Sequence, residues 1–470
     1  MFRFLKLVAA GLTSAVVLSQ SANAQIAADP TSPALTPAFC PGGLPPLSNG
    51  IWNGELPAWV PAAGRPLVKV ELTGVPAAVC NDGSPAAMFV RPAPANLPNG
   101  QINPLRRMYH IHLKGGGSCR SFEECRRRWC NAAGTFPNQP GLMSSRGWTD
   151  LVAGRGLFAD RALNRFSHAN QVLVGYCSSD TWIGSSPAGT AVSENPADVP
   201  GDVSRIAFMG ETIVNAALDT LDSGLTVPVP QLDREIKMPK LPRANHIWIT
   251  GDSAGGNGVR HHLDRIAARY PDALTLGGID AGGAIDMTDP RIDWSLLPSG
   301  PTDFETFMKA RVLQARSFHG VDDSALDSSC KTANPGGGFD EQACFNGFEL
   351  GRDHITTPVI QRTSLADSTT SGSLGPMLAA PSGLTLRQLA FDGLRASAAT
   401  NPTLSALGAN CTRHVTFRNS GQVARMRSLR KGLNLYRELD LWVFGCMAAG
   451  TCPKMVTLAM PNVANASNCP

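Results

Sequence analysis

The feature that most limits how this chain can fold is the hexapeptide Gly251-Asp252-Ser253-Ala254-Gly255-Gly256. A short apolar run, His246 to Thr250, precedes it, and in the segment that follows, Asn257 to Tyr270, Val259, Leu263, Ile266 and Ala267 fall on one helical face. The run reads as a strand and the segment as a helix. Joining them through small residues makes a G-x-S-x-G elbow, a sharp strand-to-helix turn that lifts a serine hydroxyl off a sheet. Ser253 is therefore the candidate nucleophile. The helix N-terminus behind it offers backbone N–H groups and a partial positive charge to a developing oxyanion.

Strand-like and helix-like segments alternate on both sides of the elbow. Met108 to Leu113 (MYHIHL) reads as a strand that ends in Gly115-Gly116-Gly117, and Phe122 to Cys130 as a helix. Gln171 to Tyr176, Leu274 to Asp280 and Pro358 to Leu365 are further strands, and Gly210 to Leu221 carries apolar residues at helical spacing. Short strands alternating with helices imply a mostly parallel central sheet flanked by helices, an α/β fold of the α/β-hydrolase kind. In such sheets ligands bind outside the carboxyl ends of the strands. Residues 25–104 are rich in proline and are expected to form loops and short strands packed on the body, with the catalytic domain spanning 105–470. The stretches Gly184 to Asp202 and Asp327 to Gly347 read as long, Gly/Pro/Ser-rich loops, which suits insertions bordering a site and equally plain surface excursions.

Residues 1–24 have the form of a secretory signal: Arg3 and Lys6, an apolar stretch from Leu7 to Leu18, and Ala22-Asn23-Ala24 at the cleavage point. No later run is long and apolar enough for a transmembrane helix, so a secreted or periplasmic location is expected. All 12 cysteines lie beyond the signal, an even number that argues for structural disulfides in an exported chain. The spacings of Cys119, Cys125, Cys130, Cys446 and Cys452 lack the paired CxxC units of a zinc site, so no metal is expected. A net charge of +4 without long basic blocks gives no support for nucleic-acid binding. The run Arg126-Arg127-Arg128 reads as a solvated surface.

A serine needs a histidine base oriented by a carboxylate, and in α/β-hydrolases these follow in the order Ser, Asp/Glu, His. His414, late in the chain and close to Cys411, is the first choice for the base, with His354 and His319 open; His261 and His262 read as packing or surface residues of the nucleophile helix. Asp367, directly after the Pro358 to Leu365 strand, leads the acids, with Asp280, Asp286, Asp322, Asp323 and Asp353 competing. The Gly115-Gly116-Gly117-Ser118 loop lies where a second oxyanion donor normally arises, because residues without side chains let backbone N–H groups approach the substrate.

The combination of Leu113-Lys-Gly-Gly-Gly-Ser-Cys119, Glu124-Cys125, Asn170 to Gly184 (NQVLVGYCSSDTWIG) and Gly251 to Gly256 resembles the pectin acetylesterase family, which also contains the Notum carboxylesterases. The resemblance runs from about residue 105 to 445. It implies a secreted serine esterase with a Ser-Asp-His triad and no cofactor, acting as a monomer on an O-acylated small molecule or a polysaccharide such as pectin. It carries the nucleophile onto Ser253, the acid onto Asp367 through Thr357-Pro358-Val359, and the base onto His414 through Cys411. The oxyanion hole would be the amides of Gly117, Ser118 and Ala254, with Gly116 adjacent. This chain departs from the pattern at Lys114 and Ser118, where the family usually has an acidic residue and a tryptophan, and at Asp252. A hormone-sensitive-lipase-type esterase is the competing enzyme reading, but there the histidine adjoins the glycines, whereas Leu113 and Lys114 follow His112 here. A secreted binding protein on a lapsed hydrolase scaffold is the competing non-enzyme reading.

Overall fold

Ten apolar runs pair into one sheet. The computed structural model describes residues 65–130, 140–161, 164–188, 206–229, 233–296, 303–336, 341–370, 385–409, 411–418 and 435–458. The expected signal, residues 25–64 of the Pro-rich segment, Cys40, Cys469 and residues 189–202 of the first long loop lie outside the described residues. In chain order the strands are β1 (Leu67–Glu71), β2 (Ala87–Arg91), β3 (Met108–Leu113), β4 (Leu151–Val152), β5 (Asn170–Val174), β6 (Leu225–Val229), β7 (Arg234–Met238), β8 (His246–Asp252), β9 (Leu274–Asp280), β10 (Val359–Ser364), β11 (Leu404–Ala409) and β12 (Val456–Leu458). The sheet order is β12-β11-β10-β9-β8-β3-β5-β2-β1-β4, and β6 and β7 form a separate hairpin. From β12 through β5 every pairing is parallel, and β2, β1 and β4 extend the edge antiparallel.

The helices are α1 (Phe122–Trp129), α2 (Gly210–Ser223), α3 (Ala254–Arg269), α4 (Phe304–Ser317), α5 (Ser328–Ala333), α6 (Gln342–Phe345), α7 (Leu386–Thr400) and α8 (Leu435–Ala449). Alternation along β8 sends Ile247 and Ile249 to one face, into a core shared with Val214, Leu218, Val259, Leu263, Leu389 and Leu394 of α2, α3 and α7. Trp248 points to the other face and packs with Leu439, Trp442 and Val443 of α8. Both faces are thus covered, as a parallel sheet requires. The α/β-hydrolase-like, disulfide-stabilised expectation is borne out.

The chain runs from β3 to β5 on one side and from β8 to β9 on the other, so adjacent strands β3 and β8 send their connections in opposite directions. A crevice opens at the carboxyl ends of such a pair. Their register, with Leu113 opposite Gly251, sets the glycine loop directly beside the elbow.

The segment from Asp327 to Gly347 differs from the plain loop expected of it. It holds α5 and α6, joined by the Cys330–Cys344 disulfide. Asp327 caps α5 by accepting from the Cys330 N–H at 2.9 Å, and Phe345 is buried. Short helices with one cap and one apolar anchor leave too little periodicity to be read from sequence.

Further disulfides join Cys80 to Cys177, Cys119 to Cys125 and Cys446 to Cys452. The Cys80–Cys177 bridge spans 97 residues and the Cys119–Cys125 bridge spans 6. Loop-closure entropy alone gives about 4.7 kcal/mol for the first and about 2.2 kcal/mol for the second. Chemical denaturation should therefore show that the Cys80→Ala/Cys177→Ala pair lowers the unfolding free energy about twice as much as Cys119→Ala/Cys125→Ala.

Candidate active site

Ser253 sits between the end of β8 and the start of α3 with φ +52° and ψ −119°, a backbone conformation that non-glycine residues seldom adopt. Its N–H donates to the Asp280 carbonyl of β9 at 2.8 Å, which ties the elbow to the neighbouring strand. The turn is close to the glycine loop: a Cβ added at Gly255 would lie 1.9 Å from the Leu113 carbonyl oxygen, and one at Gly115 would lie 2.1 Å from the Asp252 carbonyl oxygen. Glycine at these two positions is what lets the segments touch.

Three residues separated widely in sequence meet above the elbow. His414 Nε2 is 2.7 Å from Ser253 Oγ, and His414 Nδ1 is 2.6 Å from Asp367 Oδ2. The other carboxylate oxygen of Asp367 accepts from the Thr369 and Thr370 N–H groups, both at 2.9 Å. Burial opposes ionisation of Asp367, but the bond from His414 and its charge outweigh this and hold the carboxyl below the usual carboxylate range. His354 is bonded instead to Ser329, 3.3 Å from its hydroxyl, and His319 donates to the Cys119 carbonyl at 2.9 Å; neither reaches Ser253. Cys411 is disulfide-bonded, three residues before His414.

Asp280, a competing acid by sequence, holds the histidine's loop. One carboxylate oxygen pairs with Arg362 of β10 at 2.9 Å, and the other accepts from the N–H groups of Thr416 and Phe417, the latter at 2.6 Å. Arg362 also donates to the His414 carbonyl at 3.3 Å and to Ser364 Oγ at 2.5 Å, and Ser364 in turn donates to the Arg413 carbonyl. The signal was in the sequence as an arginine inside the strand VIQRTS, but its partner is 82 residues away.

Asp252 is fully buried and does the same for the elbow. Its Oδ1 accepts from His112 Nε2 at 2.7 Å and from the Gly115 N–H at 3.0 Å, and its Oδ2 accepts from Arg418 at 2.6 Å. Burial opposes the charge, yet Arg418 and the His112 bond hold the Asp252 carboxyl well below the ordinary range. His112 is pushed down by burial against the pull of Asp252. A neutral ring with its proton on Nε2 fits the contacts: Thr250 Oγ1 donates to His112 Nδ1 and accepts from His110 Nε2, each at 2.8 Å.

The glycine loop is held from outside by the Tyr176 to Trp182 segment. Tyr176 Oη donates to the Gly117 carbonyl at 2.6 Å and accepts from the Thr181 N–H at 2.8 Å, while Trp182 Nε1 donates to the Lys114 carbonyl at 3.0 Å. Ser179, Thr181 and Trp182 all have positive φ, and such strain persists only where surroundings over-determine it. Lys114 is buried, and its Nζ donates to the Gly115 carbonyl at 2.9 Å. Gly116 lies against the Tyr176 ring.

A cavity of about 360 Å³ opens over this site, and Gly117, Ser118, Ser253, Ala254 and His414 all line it. Its walls are apolar at Ile285, Met287, Phe307, Met308, Phe348 and Leu386, and cationic at Arg120 and Arg311. Ala254 is the first residue of α3, where N–H groups have no intrahelical partner. Among the described residues no group of three or more His, Cys, Asp or Glu side chains has the form of a metal site, and no helix is long and apolar enough to cross a membrane.

An elbow serine beside a glycine loop at the switch point of a mostly parallel sheet places the molecule among the α/β-hydrolases. The pectinacetylesterase family profile matches residues 64–370, and the chain belongs to that family. Mouse palmitoleoyl-protein carboxylesterase NOTUM is 28% identical over 214 residues, covering 44% of this chain and 34% of that protein. Notum2 of Xenopus laevis is 27% identical over 278 residues, covering 58% of this chain and 46% of that protein. The chain thus spans about a third to a half of the length of these curated relatives. The solved structure of the Wnt deacylase Notum from Drosophila superposes with a TM-score of 0.59 at 21% identity, over 83% of this chain and 97% of that one, a likeness of fold.

Asp252 and Asp367 both have depressed folded-state pKa values, so their stabilising contribution is complete above the unfolded value of about 4 and is lost as pH falls through the folded values. Urea titrations should show stability declining progressively below about pH 4. At neutral pH, Asp252→Asn should cost about 3–5 kcal/mol because it breaks the buried ion pair with Arg418, and its acid limb should be shallower than that of the wild type.

Proposed function

We propose that this protein is a secreted serine esterase that removes a short acyl group from an O-acylated small molecule or polysaccharide. Ser253 is the nucleophile, His414 the general base and Asp367 the carboxylate that holds the imidazole and stabilises its cationic form. The observation that carries this reading is the bridging position of His414, within 2.7 Å of the Ser253 hydroxyl and 2.6 Å of the Asp367 carboxylate. His414 takes the serine proton as Oγ attacks the ester carbonyl and later gives it to the leaving alcohol. Water, deprotonated by the same imidazole, then cleaves the acyl-enzyme and returns the proton to Ser253 Oγ.

The amides of Gly117, Ser118 and Ala254 stabilise the oxyanion, with Gly116 shaping the loop. Ser253's own amide is engaged by Asp280, so the donors must come from the residue after the serine and from the glycine loop. One such donor typically contributes about 2.7–4 kcal/mol to lowering the barrier. The Lys114 and Ser118 departures leave this backbone chemistry intact, since Lys114 turns inward and Ser118 lines the cavity.

The family name points to acetyl groups on pectin, and the relatives' names point to a fatty acyl group on protein. A volume of about 360 Å³ lies at the small end of ligand cavities, which run from roughly 300 to 1,000 Å³, and this favours a short acyl group. Secretion is supported by the signal-like sequence of residues 1–24, which ends in Ala22-Asn23-Ala24, and by the disulfides.

With p-nitrophenyl acetate as substrate, Ser253→Ala or His414→Ala should lower kcat by about 10⁶-fold and Asp367→Asn by about 10⁴-fold, at unchanged circular dichroism. Equal rates for the wild type and Ser253→Ala would remove Ser253 from the mechanism. Across p-nitrophenyl esters from acetate to octanoate, kcat/KM should favour the two- and four-carbon acyl groups.

A further inference from the structure

Beside the elbow the cavity leads into a side pocket of about 50 Å³ whose lining carries positive charge and, among the described residues, no carboxylate. Arg311 of α4 and Arg120, next to Cys119 at the end of the glycine loop, line both the cavity and the side pocket. Arg120 is exposed at the mouth and Arg311 is half-buried. Among the described residues neither guanidinium has a protein acceptor; only the backbone N–H of Arg120 is engaged, with Glu124 at 2.7 Å. Two other arginines nearby are paired with carboxylates. Arg316 on the same helix meets Glu341 and Asp323, and Arg265 meets Glu211.

The charged group that bears on Arg311 is Arg120, a second cation; burial and this neighbour push Arg311 down to about 10. The other titratable groups on the pocket wall do not compensate. Burial pushes His261 down to about 3 and His319 to about 4, so both imidazoles are neutral. Asn257, one turn beyond Ser253, also lines the pocket, and its Oδ1 accepts from Arg260 at 3.1 Å, which leaves its amide donors unspent on that side.

Two guanidinium groups held together without a counter-ion repel each other and lose hydration; an anion between them reverses both terms through charge-assisted, bidentate hydrogen bonds. We propose that Arg311 and Arg120 form an anion subsite that binds a carboxylate or equivalent oxyanion carried by the ester substrate, close to the bond that is cleaved. This rests on the esterase reading of the same site. It adds that the preferred ester is negatively charged, and it gives Arg311 a role in specificity.

The test uses substrate pairs that differ only in charge. 3-Acetoxybenzoate against 3-acetoxybenzamide places the charge on the alcohol side, and monophenyl succinate against phenyl succinamate places it on the acyl side. The wild-type kcat/KM should favour the anion in at least one pair by roughly tenfold, the scale of one charge-assisted hydrogen bond. That ratio should fall to about one in Arg311→Gln and be kept in part by Arg311→Lys. Taking the ratio within each variant cancels any loss of folded enzyme, and the pair that responds identifies the side of the ester that faces the subsite. No anion preference in the wild type, or an unchanged ratio in Arg311→Gln, overturns the proposal. Calorimetric binding of 3-hydroxybenzoate and of succinate, each against its amide, to the Ser253→Ala protein separates the two readings. Anion-selective binding with no hydrolysis by any form would sink the esterase reading alone, whereas hydrolysis without selectivity would sink the subsite alone.

Discussion

The ionised carboxylate of Asp252, buried under the elbow, is the contact on which the rest of the site depends. It draws together strand β3 through His112, the glycine loop through the Gly115 amide, and the late segment that carries His414 through Arg418. The end of β3 with its glycine loop, the elbow and the late segment, each more than a hundred residues from the next, are thereby fixed against one another at a point with no solvent access. A neutral isostere such as asparagine could keep the two bonds made at one oxygen, but its NH2 group would meet the Arg418 guanidinium donor against donor, and breaking a buried ion pair is costly. The pair of Asp280 and Arg362 repeats the device one strand further on, for the loop of His414.

The site therefore has two layers with opposite electrostatic character. Beneath Ser253 the carboxylates of Asp252 and Asp280 are enclosed and paired, so they set positions and leave little freedom for rotation. Above it the cavity mixes aromatic and aliphatic walls with guanidinium groups that, among the described residues, no protein acceptor neutralises. Rigidity below and unmet charge above suit an arrangement in which geometry is settled by folding and selectivity by what enters.

Much of the fold was legible because its signals are local. MYHIHL, HIWIT and LTLGGID are compact apolar runs, and the G-x-S-x-G turn between a strand and an amphipathic segment needs a parallel sheet on which to stand. Asp367 and His414 could be ranked by chain order and by their place after a strand or near a cysteine, and the family resemblance pointed to the same residues. What could not be read was the company each acid keeps. Asp280 and Asp367 look alike in sequence, each at the end of a strand, and only the register of β9 with β10 sets Arg362 beside the first. The inward turn of Lys114 is likewise invisible, and so are the roles of Tyr176 and Trp182, which meet the glycine loop from 59 and 68 residues away. The helices between Asp327 and Gly347 were missed for a different reason: each is too short to show a period.

The part of the cavity wall that carries Met308 and Phe345 belongs to a hydrophobic cluster of its own, built from α4, α5 and α6 with Ile183, Val312 and Leu350 and stapled by Cys330–Cys344. That cluster is distinct from the two that clothe the sheet. A wall that packs mainly within itself can exchange bulk or charge while the machinery underneath keeps its shape. Divergence in this lineage can thus proceed by remodelling a detachable rim, one substitution at a time, without renegotiating the floor on which the chemistry rests.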